Sequence, residues 1–242
     1  MNRPLMETRS LTLGAAGRTL LRDLSWQARG GERWCVIGRN AVGKSTLLRA
    51  LAGLSVPRRE GTVSWLGRSQ AEWAPADAAA LRAFAPQQSN DRFPIAVQRL
   101  LELAACVPGG SDPWALLRAL DATHLAERDV MQLSGGERQR VALAPCAAQG
   151  APLMLLDEPV AFQDPAHQRQ VARWLLTLTE RCLVFSAHDV NWIAGVATHV
   201  LALHGDGGWE AGPVATMLDA ERLEAVYGCR WRQADGAWLI VE

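Results

Sequence analysis

Several things are scarce in this sequence, and each scarcity excludes something. Among 242 residues there are one tyrosine and four phenylalanines, although ten tryptophans are present. The five cysteines, Cys35, Cys106, Cys146, Cys182 and Cys229, are scattered, and no two have the C-x-x-C spacing of a zinc site or a redox dithiol. An odd, dispersed set reads as reduced, mostly buried thiols of a cytoplasmic protein. Charge of one sign is not in excess either: 25 basic and 25 acidic residues cancel. The whole chain therefore offers no field for a nucleic acid and no purely electrostatic hold on lipid. Long apolar runs are missing. Stretches such as "APLMLL" at 151–156 fall far short of the roughly 20 residues that a membrane span needs. Residues 1–14 hold no run suited to a signal peptide. No repeat, low-complexity tract or charge block is present. What is there, 49% hydrophobic and 21% charged residues, is the composition of an ordinary globular protein with one large core and room for an appended part. The tryptophans are assigned to packing.

Organisation follows from pattern. "LMETRSLTLG", "TLLRDLSWQAR" and, after the Gly30-Gly31 turn, "ERWCVIG" read as strands. "STLLRALAGL" (45–54) has helical spacing with Gly53 near its end, and "GTVSWLG" (61–67) reads as another strand. From 89 to 149 the texture is helical, in "AVQRLLELAACV" and "DPWALLRALDATHLAERDV", broken by "PGGSDP". Strand, helix and strand then alternate in "PLMLLDEP" (152–159), "PAHQRQVARWLLTLTER" (165–181) and "CLVFSAHD" (182–189). Alternation of this kind predicts an α/β fold with a mostly parallel sheet covered on both faces. The expected division is a core of residues 1–88 and 150–242 with an inserted helical part at 89–149.

Two stretches look built for anions. "GRNAVGKST" at 38–46 matches the P-loop pattern in full: Gly38, then Arg39, Asn40, Ala41 and Val42, then Gly43, Lys44, Ser45 and Thr46. Glycines let backbone N–H groups turn toward phosphate oxygens, and the following helix N-terminus adds partial positive charge. Lys44 is expected on the β- and γ-phosphates and Ser45 on Mg²⁺. "PLMLLDEP" delivers Asp157 at the end of a buried strand, where a carboxylate can complete the magnesium shell, and places Glu158 beside it to orient or deprotonate water. The second cradle is Ser134-Gly135-Gly136, with Glu137 in the first turn of a helix.

P-loop, "LSGGERQR" (133–140), "LLDEP" and His188 in "SAHD", in that order, resemble the ATP-binding subunit of ABC transporters over nearly the whole chain. The resemblance implies a P-loop NTPase core with an N-terminal antiparallel part and a helical subdomain. It implies ATP and Mg²⁺ as cofactors, and an ATPase coupled to transport. Two copies would close head to tail, so that each ATP lies between the Lys44 loop of one and Ser134, Gly135, Gly136 and Glu137 of the other. By the same resemblance Gln87 is the glutamine that reaches Mg²⁺, with Gln88 as the rival in "FAPQQ". Asp164 is the aspartate that communicates across the dimer, and His188 stands near the γ-phosphate.

The implied partners are a second copy, two integral membrane permease subunits and, indirectly, a solute-binding protein, with no nucleic acid and no direct contact with cargo. The implied location is the cytoplasmic face of the inner membrane. "NDRFPIAVQRLLELA", "THLAERDVMQLSGGE" and "MLDAERLEAVYGCRW" resemble importers of metal chelates, namely vitamin B12, iron-siderophore and haem. The alternatives are an exporter ATPase, or a soluble or degenerate ABC ATPase outside transport. Three positions depart from the family pattern: Ala15 stands near where an adenine-stacking aromatic is usual, "VAFQD" puts Phe162 and Gln163 before Asp164, and Pro145 replaces an arginine. Pro145 is expected to kink the helix or end it near Ala144.

Overall fold

A computed structural model describes residues 3–87, 94–105 and 110–241. In chain order, β1 (Met6–Ala15), β2 (Arg18–Ala28) and β3 (Arg33–Ile37) lead into α1 (Lys44–Leu51), followed by β4 (Arg58–Trp65) and β5 (Arg68–Ser69). Next come α2 (Pro75–Leu81), β6 (Arg82–Ala85), and the helices α3 (Val97–Ala105), α4 (Pro113–Ala119) and α5 (Gly135–Ala148). Then follow β7 (Leu153–Leu156), α6 (Pro165–Thr177), β8 (Cys182–Ser186), α7 (Val190–Val196), β9 (His199–Leu203) and β10 (Trp209–Pro213). The chain closes with α8 (Val214–Met217), α9 (Ala220–Tyr227), β11 (Arg230–Ala234) and β12 (Ala237–Val241).

Two main sheets result. The first is antiparallel, in the order β2-β1-β4-β5; the second has six strands in the order β10-β9-β3-β8-β7-β6. In the second, β3, β6, β7, β8 and β9 pair in parallel and only β10 runs against its neighbour. β7 and β8 are buried along their whole length, and so is β3 after Arg33. Their unbroken apolar sequences, RWCVI, LMLL and CLVFS, are therefore those of strands covered on both faces.

Alternation along these strands divides the interior. Cys35, Ile37, Met154, Leu156, Leu183 and Phe185 enter one core, with residues of α3 to α7. Trp34, Val36, Leu153, Leu155, Cys182 and Val184 enter the other, with α1 and the β1–β2 hairpin. Successive side chains of a strand point to opposite faces, so a central parallel sheet builds two cores at once. Cys35, Cys146 and Cys182 are buried free thiols and Cys229 is half-buried; burial pushes the Cys146 thiol up to about 12. Cys106 lies outside the described residues.

The stretch 112–130 is not one helix. Asp112 caps α4 by accepting from Trp114 N–H, and the helix stops before Asp121, which takes a left-handed conformation at φ 49°. Short 3₁₀ turns at Thr123–Leu125 and Val130–Gln132 follow. The C-terminal elements carried no strong periodicity. The β11–β12 hairpin is fastened to α7 through Asn191, whose side chain donates to Trp238 O (3.0 Å) and accepts from Trp238 N–H (2.7 Å).

One expectation about α5 needs correction. The helix does not end near Ala144: it runs past Pro145 to Ala148, and Gln149 N–H still bonds the Pro145 carbonyl at 3.3 Å. Proline removes one donor to Val141, but Leu143, Ala144, Cys146, Ala147 and Ala148 are all buried around it. Apolar burial of about 25 cal/mol per Å² on both sides of the break outweighs one lost hydrogen bond. Replacing Pro145 with Ala restores the missing N–H and regains part of the roughly 3 kcal/mol cost of an interior proline. The expected result in calorimetry is a melting midpoint about 5 °C higher; an unchanged or lower midpoint would show that the proline causes no strain here.

Candidate functional site

The loop after β3 is shaped by close approaches. Gly38 has φ 149°, and a Cβ there would lie 2.8 Å from Val42 Cγ1 and 2.9 Å from Leu203 O. Gly43 has φ 118°, with Leu20 Cβ 3.0 Å from the position its own Cβ would take. Neither place admits a side chain, and both conformations disfavour one. Val42 turns into the core, while Asn40, Ala41, Gly43, Ser45 and Thr46 line a cleft of about 720 Å³. Arg39 lines a neighbouring pocket beside Gly205. Lys44 begins α1 and is buried; its ammonium folds back over the loop and donates to Gly38 O (2.9 Å) and Arg39 O (3.2 Å). Burial pulls its pKa down, and Glu158 and Asp157 push it back up.

β7 delivers the acids. Asp157 is 3% exposed, and its Oδ1 accepts from Ser186 Oγ at 2.7 Å. Burial raises its pKa, against hydrogen bonds from Ser186 and Ser45. Ser186 Oγ in turn accepts from Glu158 N–H at 2.9 Å, so one hydroxyl from β8 fixes both acidic residues. Glu158 sits at φ 50°, a left-handed conformation that costs a non-glycine residue free energy, which aims its carboxylate into the cleft. There Gln87 Nε2 donates to Oε2 at 2.7 Å and His188 Nε2 lies 2.9 Å from Oε1. The histidine contact is the main reason the Glu158 pKa is lowered.

Gln87, Lys44, Ser45, Glu158 and His188 therefore meet at one cleft, from four separate segments. Gln88 lies outside the described residues. Ser134, Gly135, Gly136, Glu137 and Asp164 are not part of this cleft's lining. Ser134 and Glu137 form a reciprocal cap on α5: Ser134 Oγ accepts from Glu137 N–H (3.3 Å) and Glu137 Oε2 from Ser134 N–H (2.8 Å). A Cβ on Gly136 would lie 2.7 Å from Phe162 O, and Phe162 itself is exposed with φ 61°. Asp164 caps α6 by accepting from His167 N–H at 3.0 Å.

Two residues escaped sequence reading. Ser186 had a faint signal, a lone hydroxyl within the apolar run "CLVFS". Gln139, whose Nε2 donates to Glu158 O at 3.2 Å, had none, because nothing local ties α5 to the end of β7.

The donor set fits a polyphosphate with a hard cation. Backbone amides at the α1 N-terminus and the Lys44 ammonium suit phosphate oxygens. The Ser45 hydroxyl and the Asp157 carboxylate, which interact with each other, are the oxygen donors that Mg²⁺ prefers. Among the described residues no group of three or more His, Cys, Asp or Glu could hold a metal.

Asp157 and Glu158 give opposite linkage. A raised folded pKa at Asp157 supplies stability below the unfolded pKa and loses it as pH rises through the folded one. A lowered pKa at Glu158 supplies stability above the usual carboxylate range and loses it as pH falls through the folded value. Asp157→Asn cannot ionise but keeps the acceptor for Ser186. Without nucleotide, the variant is expected to melt about 3 °C above the native chain at pH 8, the gap closing toward pH 4. A gap absent at pH 8, or widening in acid, would contradict the assigned burial cost.

Comparison with known proteins agrees with this geometry. The profile of the family described as ABC transporter matches residues 21–161. The chain is 31% identical to an uncharacterized ABC transporter ATP-binding protein of Haemophilus influenzae, over 92% of this chain and 89% of that protein. It is 35% identical to the hemin import ATP-binding protein HmuV of a Ruegeria species (98% and 97% covered). It is 33% identical to the cobalamin import ATP-binding protein BtuD of Halobacterium salinarum, over 93% of this chain and 59% of that protein. Among solved structures, a transporter described as metal-chelate type, in an inward-facing conformation, superposes with a TM-score of 0.78 at 24% identity, covering 99% of this chain and 98% of that one. A nucleotide-free ATP-binding cassette gives 0.72 at 19% identity, covering 93% and 95%. These two likenesses speak for the fold. With the profile, the relatives and the P-loop cleft in agreement, the chain belongs to the ABC transporter family, as an ATP-binding, ATPase subunit.

Proposed function

We propose that this chain powers an importer of metal chelates of the haem and cobalamin type, by hydrolysing ATP between two copies of itself. The importer class is supported by relatives named for hemin and cobalamin import. The twin arrangement is supported by one observation: Lys44, Glu158 and His188 converge on one cleft, while the Ser134–Gly136 turn stands outside it. A second anion cradle with no phosphate of its own chain to meet suits a phosphate brought by a partner copy.

In this reading residues 38–46 hold the phosphates, and Lys44 and the α1 amides neutralise their charge. Ser45, Asp157 and Gln87 hold the Mg²⁺ shell, partly through water. Mg²⁺ supplies charge neutralisation at the phosphate oxygens. Glu158 takes the proton of the attacking water, and its lowered pKa keeps it ionised for that task. His188 and Gln87 fix the orientation of the Glu158 carboxylate through the contacts seen. Asp164, exposed at the start of α6, faces the partner copy. Among the described residues no helix is long and apolar enough to cross a membrane, so translocation falls to separate permease subunits. Residues 89–149 are the part offered to them, at the cytoplasmic face of the inner membrane. Cargo meets the permeases and a solute-binding protein, not this chain.

Glu158→Gln keeps the hydrogen-bond geometry but cannot accept the proton. Steady ATP turnover is expected to fall by about a hundredfold or more while Mg-ATP binding stays within a few-fold of native. Undiminished turnover would remove Glu158 from its role. With Mg-ATP and the membrane subunits, the same variant is expected to sediment with its two copies closed, and adding Ser134→Arg is expected to abolish that closure. Copies that never close at saturating Mg-ATP would reject the shared site. In vesicles bearing the assembled transporter, uptake of neither haem nor cobalamin would reject the cargo class.

A further inference from the structure

The cleft is lined by two sets of residues of different chemistry. Lys44, Ser45, Gln87, Glu158 and His188 come from the central sheet and α1; Ala15, Ala16, Arg18 and Leu20 come from the β1–β2 hairpin. We propose that Arg18 holds the nucleoside base by laying its guanidinium plane against the ring. This rests on the nucleotide reading above and adds a base-binding residue to it.

The hairpin geometry sets the place of Arg18. Ala16 (φ 49°) and Gly17 (φ 74°) form a tight left-handed turn that pairs Ala15 with Arg18. Leu20 is held against the phosphate loop, its Cβ 3.0 Å from where a Gly43 Cβ would stand. Side chains two residues apart on a strand share a face. Arg18 therefore leaves β2 on the cleft side, roughly 7 Å from Leu20 toward the turn. A nucleotide with its phosphates on residues 38–46 extends its base to the hairpin residues, where it meets three aliphatic side chains and one guanidinium.

Arg18 is exposed, and its guanidinium has no hydrogen-bond or ion-pair partner among the described residues. The other nearby arginine, Arg39, is directed elsewhere: its Nη1 lies 3.8 Å from the position of a Cβ on Gly228, and it is not among the residues lining this cleft. A guanidinium is planar and weakly hydrated, and it stacks on π faces where an ammonium only neutralises charge. Such a stack reads the face of a base and not its edge. Ala15, Ala16 and Leu20 have no side-chain donor or acceptor for the edge either, so this part of the lining discriminates weakly between purines.

The test is isothermal titration of the full chain and its Arg18→Ala, Arg18→Lys and Arg18→Tyr variants with Mg-ATP, Mg-GTP and Mg-tripolyphosphate. Arg18→Ala is expected to raise the Kd for Mg-ATP roughly five- to tenfold and to leave tripolyphosphate within about twofold. Arg18→Tyr restores ATP binding, Arg18→Lys does not, and the native chain binds ATP and GTP within about threefold of each other. An equal loss for ATP and tripolyphosphate would make Arg18 a phosphate ligand and overturn the proposal. Unchanged ATP binding in Arg18→Ala, full rescue by lysine, or more than about a tenfold preference for one purine would overturn it too. A native chain that binds none of the three would overturn the nucleotide reading itself, a result distinct from all of these.

Discussion

The parallel pairing of β3, β8 and β7 is the constraint on which the rest of the molecule depends. Cys35 pairs with Phe185 and Leu155 with Val184, so the three strands finish along one edge of the sheet. Whatever follows each strand in sequence is thereby placed side by side: the glycine loop after β3, Asp157 and Glu158 after β7, Ala187 and His188 after β8. Strands buried on both faces cannot slip by one residue without exchanging the contents of two cores. That edge is held by the packing of the whole interior.

Upon that edge a smaller device sets the chemistry. The Ser186 hydroxyl donates to Asp157 and accepts from the Glu158 amide, joining β8 to β7 where the charges lie. The two acids differ because their surroundings differ. Asp157 is enclosed and its charge is unfavourable until a cation arrives. Glu158 has His188 and Gln87 as partners and remains ionised. Neighbouring residues in sequence thus carry opposite pKa directions, which suits the proposed division of one strand end between a metal ligand and a base.

Stability is traded away at several points around the site. Glu158 at φ 50° and Phe162 at φ 61° hold left-handed conformations, Lys44 is buried and hydrogen-bonded to its own loop, and α5 carries an interior proline. Each is tolerated because the two cores on either side are extensive. The reciprocal Ser134–Glu137 cap and the burial of Leu143 to Ala148 keep α5 in place despite Pro145. Gln139 then ties that helix to the backbone carbonyl of Glu158, so α5 and the end of β7 are joined by a hydrogen bond beside the residue proposed as the base.

The sequence by itself determined the phosphate loop, the acid pair, the α/β class and the family, since each of these is carried by a short contiguous run with its own local physics: glycine conformations, an apolar strand, a capped helix. It also showed what was missing at Ala15, without showing what stood there instead. Only the tertiary structure decided which groups share the cleft, because Gln87, Ser186 and His188 approach Glu158 and Asp157 across separations of 28 to 71 residues. It alone decided that α5 survives Pro145, since burial on both sides of a break is invisible in a one-dimensional pattern. It alone placed Arg18 in the cleft, since a strand's face is set by the turn and the neighbour against which it packs.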